Sequence, residues 1–323
     1  MDQDILVKLE DRLGRVHARL RLGIETDHEA QVFGQGINFF HIENWHRAHS
    51  LIRALLMLSG LYWRGRRNAA RVRVVHNEIA LAGLPHAFDG FTILHISDMH
   101  ADISAGAMWR LTELAGDLDY DLCVLTGDYR GKTYGPFAPS LDAVAEVRAH
   151  LKGPVYGVLG NHDTIQMVPA FEAMGMRMLL NECEPIVRAG ERIYLAGIDD
   201  AHYFRADNIE KAAADIPDGA FSILLSHTPE IYRQAAHADF NLMLSGHTHG
   251  GQICLPGSIP VTLDSVLPRR LGAGAWQYHR MTGYTSVGVG SCIVAVRLNC
   301  PPEITLHHLR RADAELAARC EGG

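Results

Sequence analysis

The sequence lacks the cysteine patterns of a disulfide-stapled domain or a zinc finger. Its six cysteines are scattered through 323 residues, and no two of them form a CxxC pair. In a chain of this length, such spacing is typical of reduced, buried thiols. The first 29 residues form a charged, amphipathic stretch without the apolar run of a secretory signal. We therefore expect a cytoplasmic protein.

Long apolar runs are missing as well. The longest covers residues 51–63 and contains Arg53, so it is far shorter than the roughly 20 residues that a membrane-spanning helix needs. We expect an amphipathic helix here instead. Helical spacing would place on one face the apolar side chains of Leu51, Leu55, Leu58 and Tyr62.

Acidic residues are absent between Glu43 and Glu78, although the whole chain has a formal net charge of −7. The same segment contains seven arginines, which are Arg47, Arg53, Arg64, Arg66, Arg67, Arg71 and Arg73. Because the rest of the chain is acidic, we expect no nucleic-acid partner. The basic amphipathic helix favours peripheral attachment of residues 47–73 to the inner face of an anionic membrane. The alternative is a helix packed on the main domain with solvated arginines.

The pattern divides the chain into an extension at residues 1–80, a main domain at 81–310 and a tail at 311–323. A first strand is predicted at residues 71–81. From Phe91 onward, short apolar runs alternate with helical segments, which predicts βαβ units and an α/β fold. Alternating stretches at residues 292–298 and 303–309 indicate strands of a second sheet, which we expect to be antiparallel.

Five apolar runs share one feature, because each ends at a residue that can bind a metal. The runs at residues 91–97, 122–127, 155–160, 221–226 and 240–246 precede Asp98-Met99-His100, Asp128, Asn161-His162, His227 and His247-Thr248-His249. Ligands of open α/β sheets gather at the carboxyl ends of the strands. If these strands share one sheet, their terminal side chains meet at one rim. The sequence therefore predicts a metal site.

The donors are carboxylate, amide oxygen and imidazole, which suit Mn²⁺, Fe²⁺, Zn²⁺ or Mg²⁺. Seven donors are too many for one ion, and Asp128 has two oxygens with which it can bridge a pair. Two divalent cations would share a bridging hydroxide that attacks phosphorus in line with the leaving group. We expect a dinuclear centre, with Mn²⁺ as the preferred metal.

This set of motifs resembles the calcineurin-like metallophosphoesterases over residues 91–300. The resemblance implies a four-layer α/β/β/α sandwich of two mixed sheets flanked by helices. It also implies a catalytic role for His162, which would contact the phosphate and assist the leaving group. By resemblance, one metal is held by Asp98, His100, Asp128 and His249, and the other by Asp128, Asn161, His227 and His247.

One position departs from the family pattern. Many relatives carry a second aspartate three residues after the one that matches Asp128, where it orients the motif histidine, but Gly131 stands there in this chain. We expect Asp163 to orient His162 instead. The string at residues 246–253 (GHTHGGQI) further resembles the bacterial YkuE-type branch of membrane-peripheral enzymes. That branch includes diphosphatases that act on UDP-2,3-diacylglucosamine in lipid A synthesis.

Three functions stay open at this point. The first is a phosphodiesterase or pyrophosphatase for a lipid-linked substrate such as UDP-2,3-diacylglucosamine. The second is a soluble nucleotide or general phosphodiesterase, and the third is a non-catalytic, metal-dependent interaction scaffold. The scaffold is disfavoured because all seven ligand positions are occupied by metal-binding residue types.

Some polar residues have less certain roles. His41, His46 and His49 are interpreted as a polar helix face, and His95 as a hydrogen-bonded core histidine. Arg130 could meet a substrate phosphate or remain a solvated loop charge.

Overall fold

The computed structural model describes residues 3–33 and 46–312, with backbone alone at 30–33 and 46–49. His41, the side chains of His46 and His49, and most of the predicted tail lie outside the described residues. The helices are α1 (Gln3–Leu13), α2 (Arg15–Phe33), α3 (His46–Leu58), α4 (Leu61–Ala69), α5 (Ala105–Asp117), α6 (Ala138–Arg148), α7 (Val168–Ala173), α8 (Ile209–Ala213) and α9 (Tyr232–His237). The strands are β1 (Arg73–Leu81), β2 (Thr92–Ile96), β3 (Leu122–Leu125), β4 (Val155–Gly157), β5 (Met176–Met178), β6 (Glu182–Arg188), β7 (Glu191–Gly197), β8 (Ser222–Leu225), β9 (Leu242–Ser245), β10 (Cys254–Leu255), β11 (Ile259–Pro260), β12 (Gly274–Tyr278), β13 (Met281–Thr285) and β14 (Glu303–Arg311).

Two six-stranded mixed sheets form the centre of the protein. The first has the order β1-β14-β2-β3-β4-β5, in which β14 and β2 are antiparallel and the other neighbours parallel. The second has the order β12-β13-β9-β8-β7-β6, in which only the two outer pairs are antiparallel. A small ribbon, β10–β11, lies apart from both sheets.

The core has three apolar layers, because the side chains of each strand alternate between its two faces. Ile93 and Val124 of the first sheet pack with Ile223 of the second in the layer between the sheets. Leu94, from the opposite face of β2, packs in the layer that contains residues of α5, α6 and α7. Met243 of β9 packs with residues of α8 and α9. The architecture is therefore the predicted four-layer α/β/β/α sandwich.

From the sequence, the five strands that precede the predicted ligands were supposed to share one sheet. They lie in two sheets instead. β2, β3 and β4 belong to the first sheet, whereas β8 and β9 belong to the second. The two sheets pack face to face with their carboxyl ends at the same edge. The predicted rim is thus built from two sheets.

The predictions for the C-terminal strands are partly wrong. Residues 303–309 lie in β14, but this strand joins the first sheet. Residues 292–298 form no strand, because their backbone groups make hydrogen bonds outside the two sheets. The carbonyl of Cys292 accepts from Gln252 Nε2, and Arg297 N donates to Gly65 O of α4. Their alternation has another cause, since Val294 and Val296 pack against α3 and α4.

The predicted helix at residues 51–63 is two helices. The chain turns at Gly60, which has φ of 72°, a left-handed conformation that glycine adopts without strain. Tyr62 is consequently buried, while Leu51, Leu55 and Leu58 stay exposed. No helix among the described residues combines the length and apolar character needed to cross a membrane.

The N-terminal helices pack on the sandwich. Arg12 of α1 donates to Glu172 of α7 and to Glu182 of β6, at 2.8 and 2.7 Å. Arg21 of α2 is fully buried and donates to Asp199. The predicted boundary between residues 80 and 81 falls within β1.

Candidate metal centre

The predicted ligand residues converge where the carboxyl ends of the two sheets meet. Three groups of side chains, formed by six of these residues together with Cys292, have ligand atoms within 4.8 Å of one another. These groups are Asp98, His100 and Asp128; Asp128, His227 and His247; and His100, His249 and Cys292. All seven predicted ligand residues are buried. The two sheets therefore gather a compact, water-excluded cluster of oxygen and nitrogen donors.

The backbone of this cluster is strained. Five of the seven predicted ligands have positive φ, a region that residues other than glycine seldom adopt. They are Asp98 (51°), His100 (39°), Asp128 (57°), His247 (71°) and His249 (51°). Such strain is typical of functional sites, where the surrounding structure holds it in place. Gly246 allows the close approach, since a Cβ there would lie 1.8 Å from Ser97 Oγ.

Asp128 occupies the middle of the cluster. Its Oδ2 lies 3.3 Å from His227 Nε2, 3.7 Å from His100 Nε2 and 3.9 Å from His162 Nε2. Burial alone would raise the pKa of Asp128, but the neighbouring imidazoles, His227 first, hold it well below its usual range. The carboxylate is therefore charged and faces both sides of the cluster, as a bridging ligand must.

Three histidines have one ring nitrogen fixed by a backbone carbonyl. His100 Nδ1 donates to Arg130 O at 2.9 Å, and His227 Nδ1 donates to Thr126 O at 2.7 Å. His247 uses its other nitrogen, since Nε2 donates to Asp264 O at 2.8 Å. Metal-binding histidines are oriented in this way, because the donated N–H leaves a lone pair on the opposite nitrogen.

Asn161 joins the two imidazoles of the second sheet. Its Oδ1 lies 2.8 Å from His227 Nε2 and 2.9 Å from His247 Nδ1. Burial alone would lower the pKa of His227, but Asp128 and then Asp98 raise it to about 10. The negative charge of these carboxylates is thus directed at His227, whose Nε2 would face a bound cation.

On the other side of Asp128, His249 Nε2 lies 3.0 Å from His100 Nε2 and 3.6 Å from Asp98 Oδ1. The buried guanidinium of Arg297 donates to His249 Nδ1 at 3.1 Å. His249 therefore carries its proton on Nε2, between the two rings. A cation bound there would replace this proton, and Arg297 would have to release Nδ1.

The expectation for the partner of His162 is wrong. Asp163 does not orient the ring, because its carboxylate accepts from the backbone N–H groups of Asp128 and Gly160, at 2.8 and 2.9 Å. Thr133 Oγ1 lies 3.3 Å from His162 Nδ1 instead. Burial and the nearby Asp128 raise the pKa of Asp163 to about 7. Through these hydrogen bonds Asp163 links the loop after β3, which carries Asp128, to the loop after β4, which carries His162. Thr133 faces the His162 ring.

Arg130 is not available to a substrate phosphate. Its guanidinium donates to the carbonyls of His162, Thr133 and Gly135. It is buried and closes the loop that carries Thr133 against the loop that carries His162. This use of the side chain was not visible in the sequence.

Three further side chains lie beside the cluster, and two of them, Cys292 and Arg297, were missed as site residues. Cys292 Sγ lies 3.8 Å from His162 Nε2, and Arg297 contacts His249 as described. The His202 ring packs 4.2 Å from the His247 ring while its Nδ1 contacts Glu230 Oε2 at 2.8 Å. Each comes from a segment without a metal-binding motif, so only the fold shows the proximity.

Comparison with known proteins agrees with this geometry. The family model described as calcineurin-like phosphoesterase matches residues 91–251. The chain is 29% identical over 272 residues to the uncharacterized metallophosphoesterase YkoQ of Bacillus subtilis, covering 79% of this chain and 97% of that protein. It is 30% identical over 252 residues to the uncharacterized metallophosphoesterase YkuE of the same organism, covering 74% and 86%. It is also 27% identical over 232 residues to phosphodiesterase YaeI of Escherichia coli, covering 68% and 82%. The chain therefore belongs to the calcineurin-like phosphoesterase family, as a metallophosphoesterase that hydrolyses phosphoester bonds.

Proposed function

We propose that this enzyme is a dinuclear phosphodiesterase or pyrophosphatase that acts on a lipid-linked substrate at a membrane surface. The observation that carries the dinuclear assignment is that two donor groups share Asp128. We propose Mn²⁺ as the preferred cation, with Fe²⁺, Zn²⁺ and Mg²⁺ as alternatives. The proposed ligands are Asp98, His100, Asp128, Asn161, His227, His247 and His249.

The residues around the ligands position the substrate and move a proton. Two bound cations would supply Lewis acidity toward the phosphoryl group and neutralise its oxygens. His162 has its Nε2 toward Asp128 and its Nδ1 toward Thr133. We assign to His162 the proton that the leaving oxygen receives, with Thr133 as the hydrogen-bond partner that fixes the ring.

An exposed apolar patch supports action at a membrane. We define it by α3 and α4, where Leu51, Leu55, Leu58 and Trp63 are 61, 57, 85 and 63% exposed. The ribbon β10–β11 also exposes Leu255 and Ile259, by 55 and 52%, and Ile253, just before the ribbon, packs against the cluster that contains Leu56 and Tyr62. Single exposed apolar residues need no explanation, but a concentration of them beside arginines is typical of an interfacial surface.

The apolar patch is connected to the candidate metal centre through residues 290–298. Val296 packs with Leu56 and Tyr62 beneath the patch. The next residue, Arg297, donates its backbone N–H to Gly65 O and its side chain to His249. Adsorption of α3 and α4 to a bilayer would therefore hold the centre close to lipid headgroups. The name of YaeI, a phosphodiesterase, supports the same bond class.

The substrate class is tested by activity. Purified, Mn²⁺-loaded protein should hydrolyse bis(p-nitrophenyl) phosphate, and it should cleave UDP-2,3-diacylglucosamine faster than cyclic nucleotides. Preference for a soluble nucleotide would favour the general phosphodiesterase. If folded, Mn²⁺-loaded protein hydrolyses none of these substrates, the result favours the non-catalytic scaffold.

Membrane attachment is tested by sedimentation with vesicles that contain anionic phosphatidylglycerol. Changing Arg64, Arg66 and Arg67 to Glu should abolish co-sedimentation, because each basic residue near such a surface contributes roughly 1 kcal/mol. Leu55→Ser with Leu58→Ser should weaken it as well. Val187→Ser, at an exposed position on β6, is the matched control and should bind like wild type. Unchanged binding of both patch variants would remove the membrane from the proposal.

A further inference from the structure

Two buried histidines, His95 of β2 and His307 of β14, have no ligand position in the candidate metal centre. Both side chains are completely buried, and His95 Nδ1 lies 3.2 Å from His307 Nε2. Burial lowers the pKa of His95 to about 3 and that of His307 well below its usual value. Both imidazoles are therefore neutral, so each has a single N–H to donate.

The pair belongs to a series of five consecutive hydrogen bonds. His95 Nε2 lies 2.8 Å from Thr126 Oγ1. Thr126 Oγ1 donates to Ser97 Oγ at 2.7 Å, and Ser97 Oγ donates to Asp98 Oδ2 at 2.6 Å. At the opposite end, Asn77 Nδ2 lies 3.0 Å from His307 Nδ1. This hydrogen-bond chain thus crosses the first sheet from β1 through β14 and β2 to Asp98, a proposed metal ligand.

The two ends impose the same direction on every bond. The Asn77 amide nitrogen can only donate, so His307 accepts at Nδ1 and must donate from Nε2 to His95. His95 in turn donates from Nε2 to Thr126. At the other end, the Asp98 carboxylate can only accept. Each intermediate group therefore accepts one hydrogen bond and donates one, without conflict or a missing partner.

We propose that this hydrogen-bond chain positions the Asp98 carboxylate and thereby sets the affinity of the cation site formed with His100 and His249. The inference rests on the proposed dinuclear centre and adds Ser97, Thr126, His95 and His307 as positioning residues. Ser97 donates to Oδ2, and the backbone N–H of His247 donates to both carboxylate oxygens, at 3.0 and 3.1 Å. Together they fix the carboxylate with Oδ1 3.6 Å from His249 Nε2, where a remaining lone pair can face the cation. Groups that orient a ligand in this way typically change metal affinity by about 10- to 100-fold when they are removed.

The test is titration of the full chain with Mn²⁺ alone, using an isosteric pair of variants. Thr126→Val removes the hydroxyl and should weaken one of the two Mn²⁺ sites by about 10- to 100-fold. Thr126→Ser keeps the hydroxyl and should restore binding. Thr305→Val is the matched control, since this buried threonine of β14 donates a hydrogen bond to Tyr284, which is not part of the hydrogen-bond chain. Equal Mn²⁺ affinities of Thr126→Val and wild type would overturn the inference. If wild type itself does not bind two Mn²⁺ ions, both the proposed centre and the inference are refuted.

A second variant tests the chain far from the ligands and covers the case in which Thr126→Val fails to fold. Asn77→Asp places an acceptor where a donor stood, so His307 should donate from Nδ1 and accept at Nε2. Because Asp98 still only accepts, the two directions then oppose each other, and one hydrogen bond between His307 and Asp98 must be lost. Nitrogen-15 NMR should then show the proton of His307 on Nδ1 instead of Nε2, and the same Mn²⁺ site should weaken. Reversed tautomers with unchanged Mn²⁺ affinity would contradict the inference, as would a wild-type His307 protonated on Nδ1.

Discussion

The two sheets contribute different chemistry to the same site. The first sheet supplies every oxygen donor, through Asp98, Asp128 and Asn161, whereas the second supplies imidazoles alone. Their rims touch through glycine, since a Cβ on Gly127 would lie 2.6 Å from Gly160 N and 2.9 Å from His227 Nδ1. The charge that attracts cations therefore comes from one sheet, and most of the nitrogen donors come from the other. The centre exists only where both sheets are correctly packed.

The largest expected effect comes from the first sheet. Asp128→Ala should lose both Mn²⁺ ions and all detectable activity, because it removes the carboxylate that both donor groups share. Asp128→Asn serves as the isosteric companion, and Asp142→Ala, at an exposed position on α6, is the control. Metal content by elemental analysis is the measurement. Retention of two ions by Asp128→Ala would end the bridging assignment.

A ligand of the second sheet should matter less for binding. His227→Ala should release one ion and keep the other, because Asp98, His100 and His249 remain around the second position. Stoichiometry by Mn²⁺ titration, with the melting temperature of the metal-free variant as a folding control, measures the difference. Loss of both ions from a folded His227→Ala protein would contradict the division between the sheets.

His162 belongs to the first sheet but is not among the proposed ligands. His162→Ala should keep both ions and slow turnover by about 10²–10⁴-fold, the range for loss of a general acid. Thr133→Val should cause a smaller loss, because the imidazole remains but its Nδ1 loses the contact with the Thr133 hydroxyl. Steady-state kinetics on bis(p-nitrophenyl) phosphate distinguish the two. Wild-type turnover in His162→Ala would take this residue out of the mechanism.

The smallest effect should appear at the edge where Arg12 joins the two sheets. Arg12→Ala should cost about 1–3 kcal/mol of unfolding free energy at neutral pH, because Glu172 and Glu182 lose a charged partner while partly buried. Burial alone would raise the pKa of Glu182, but Arg12 lowers it below its ordinary 4.5. The stabilisation is thus present above pH 4.5 and lost as the pH falls through the folded pKa.

Urea denaturation at pH 7 and at pH 3 checks this dependence. Arg19→Ala is the matched control, since Arg19 is 59% exposed in its side chain and pairs only with Glu10 among the described contacts. It should leave the unfolding free energy close to that of wild type, because exposed ion pairs contribute little to stability. A difference for Arg12→Ala that grows toward low pH would reverse the assigned sign.

The sequence predicted the site better than its surroundings. The motifs at the five strand ends identified the donor cluster because strand direction alone brings such residues to one edge. The partition of those strands between two sheets was not predictable, since buried strands of either sheet have the same apolar pattern. The break at Gly60 was missed because helical spacing continues through it.

Long-range contacts account for the remaining differences. Gly131 suggested that Asp163 orients His162, yet the side chain that contacts the ring at Nδ1 is Thr133, because the loop closed by Arg130 brings its hydroxyl there. His95 was correctly expected to be a hydrogen-bonded core histidine. Its connection to Asp98 could not be predicted, because it runs through the hydroxyls of Thr126 and Ser97, which come together only where β2 and β3 lie side by side.

The most direct test of the account is the number of cations that the purified chain binds after reconstitution with Mn²⁺. We expect two Mn²⁺ ions per chain in wild type, one in His227→Ala and none in Asp128→Ala. Binding of no Mn²⁺, Fe²⁺ or Zn²⁺ by folded wild-type protein would contradict it, whatever activity the sample shows.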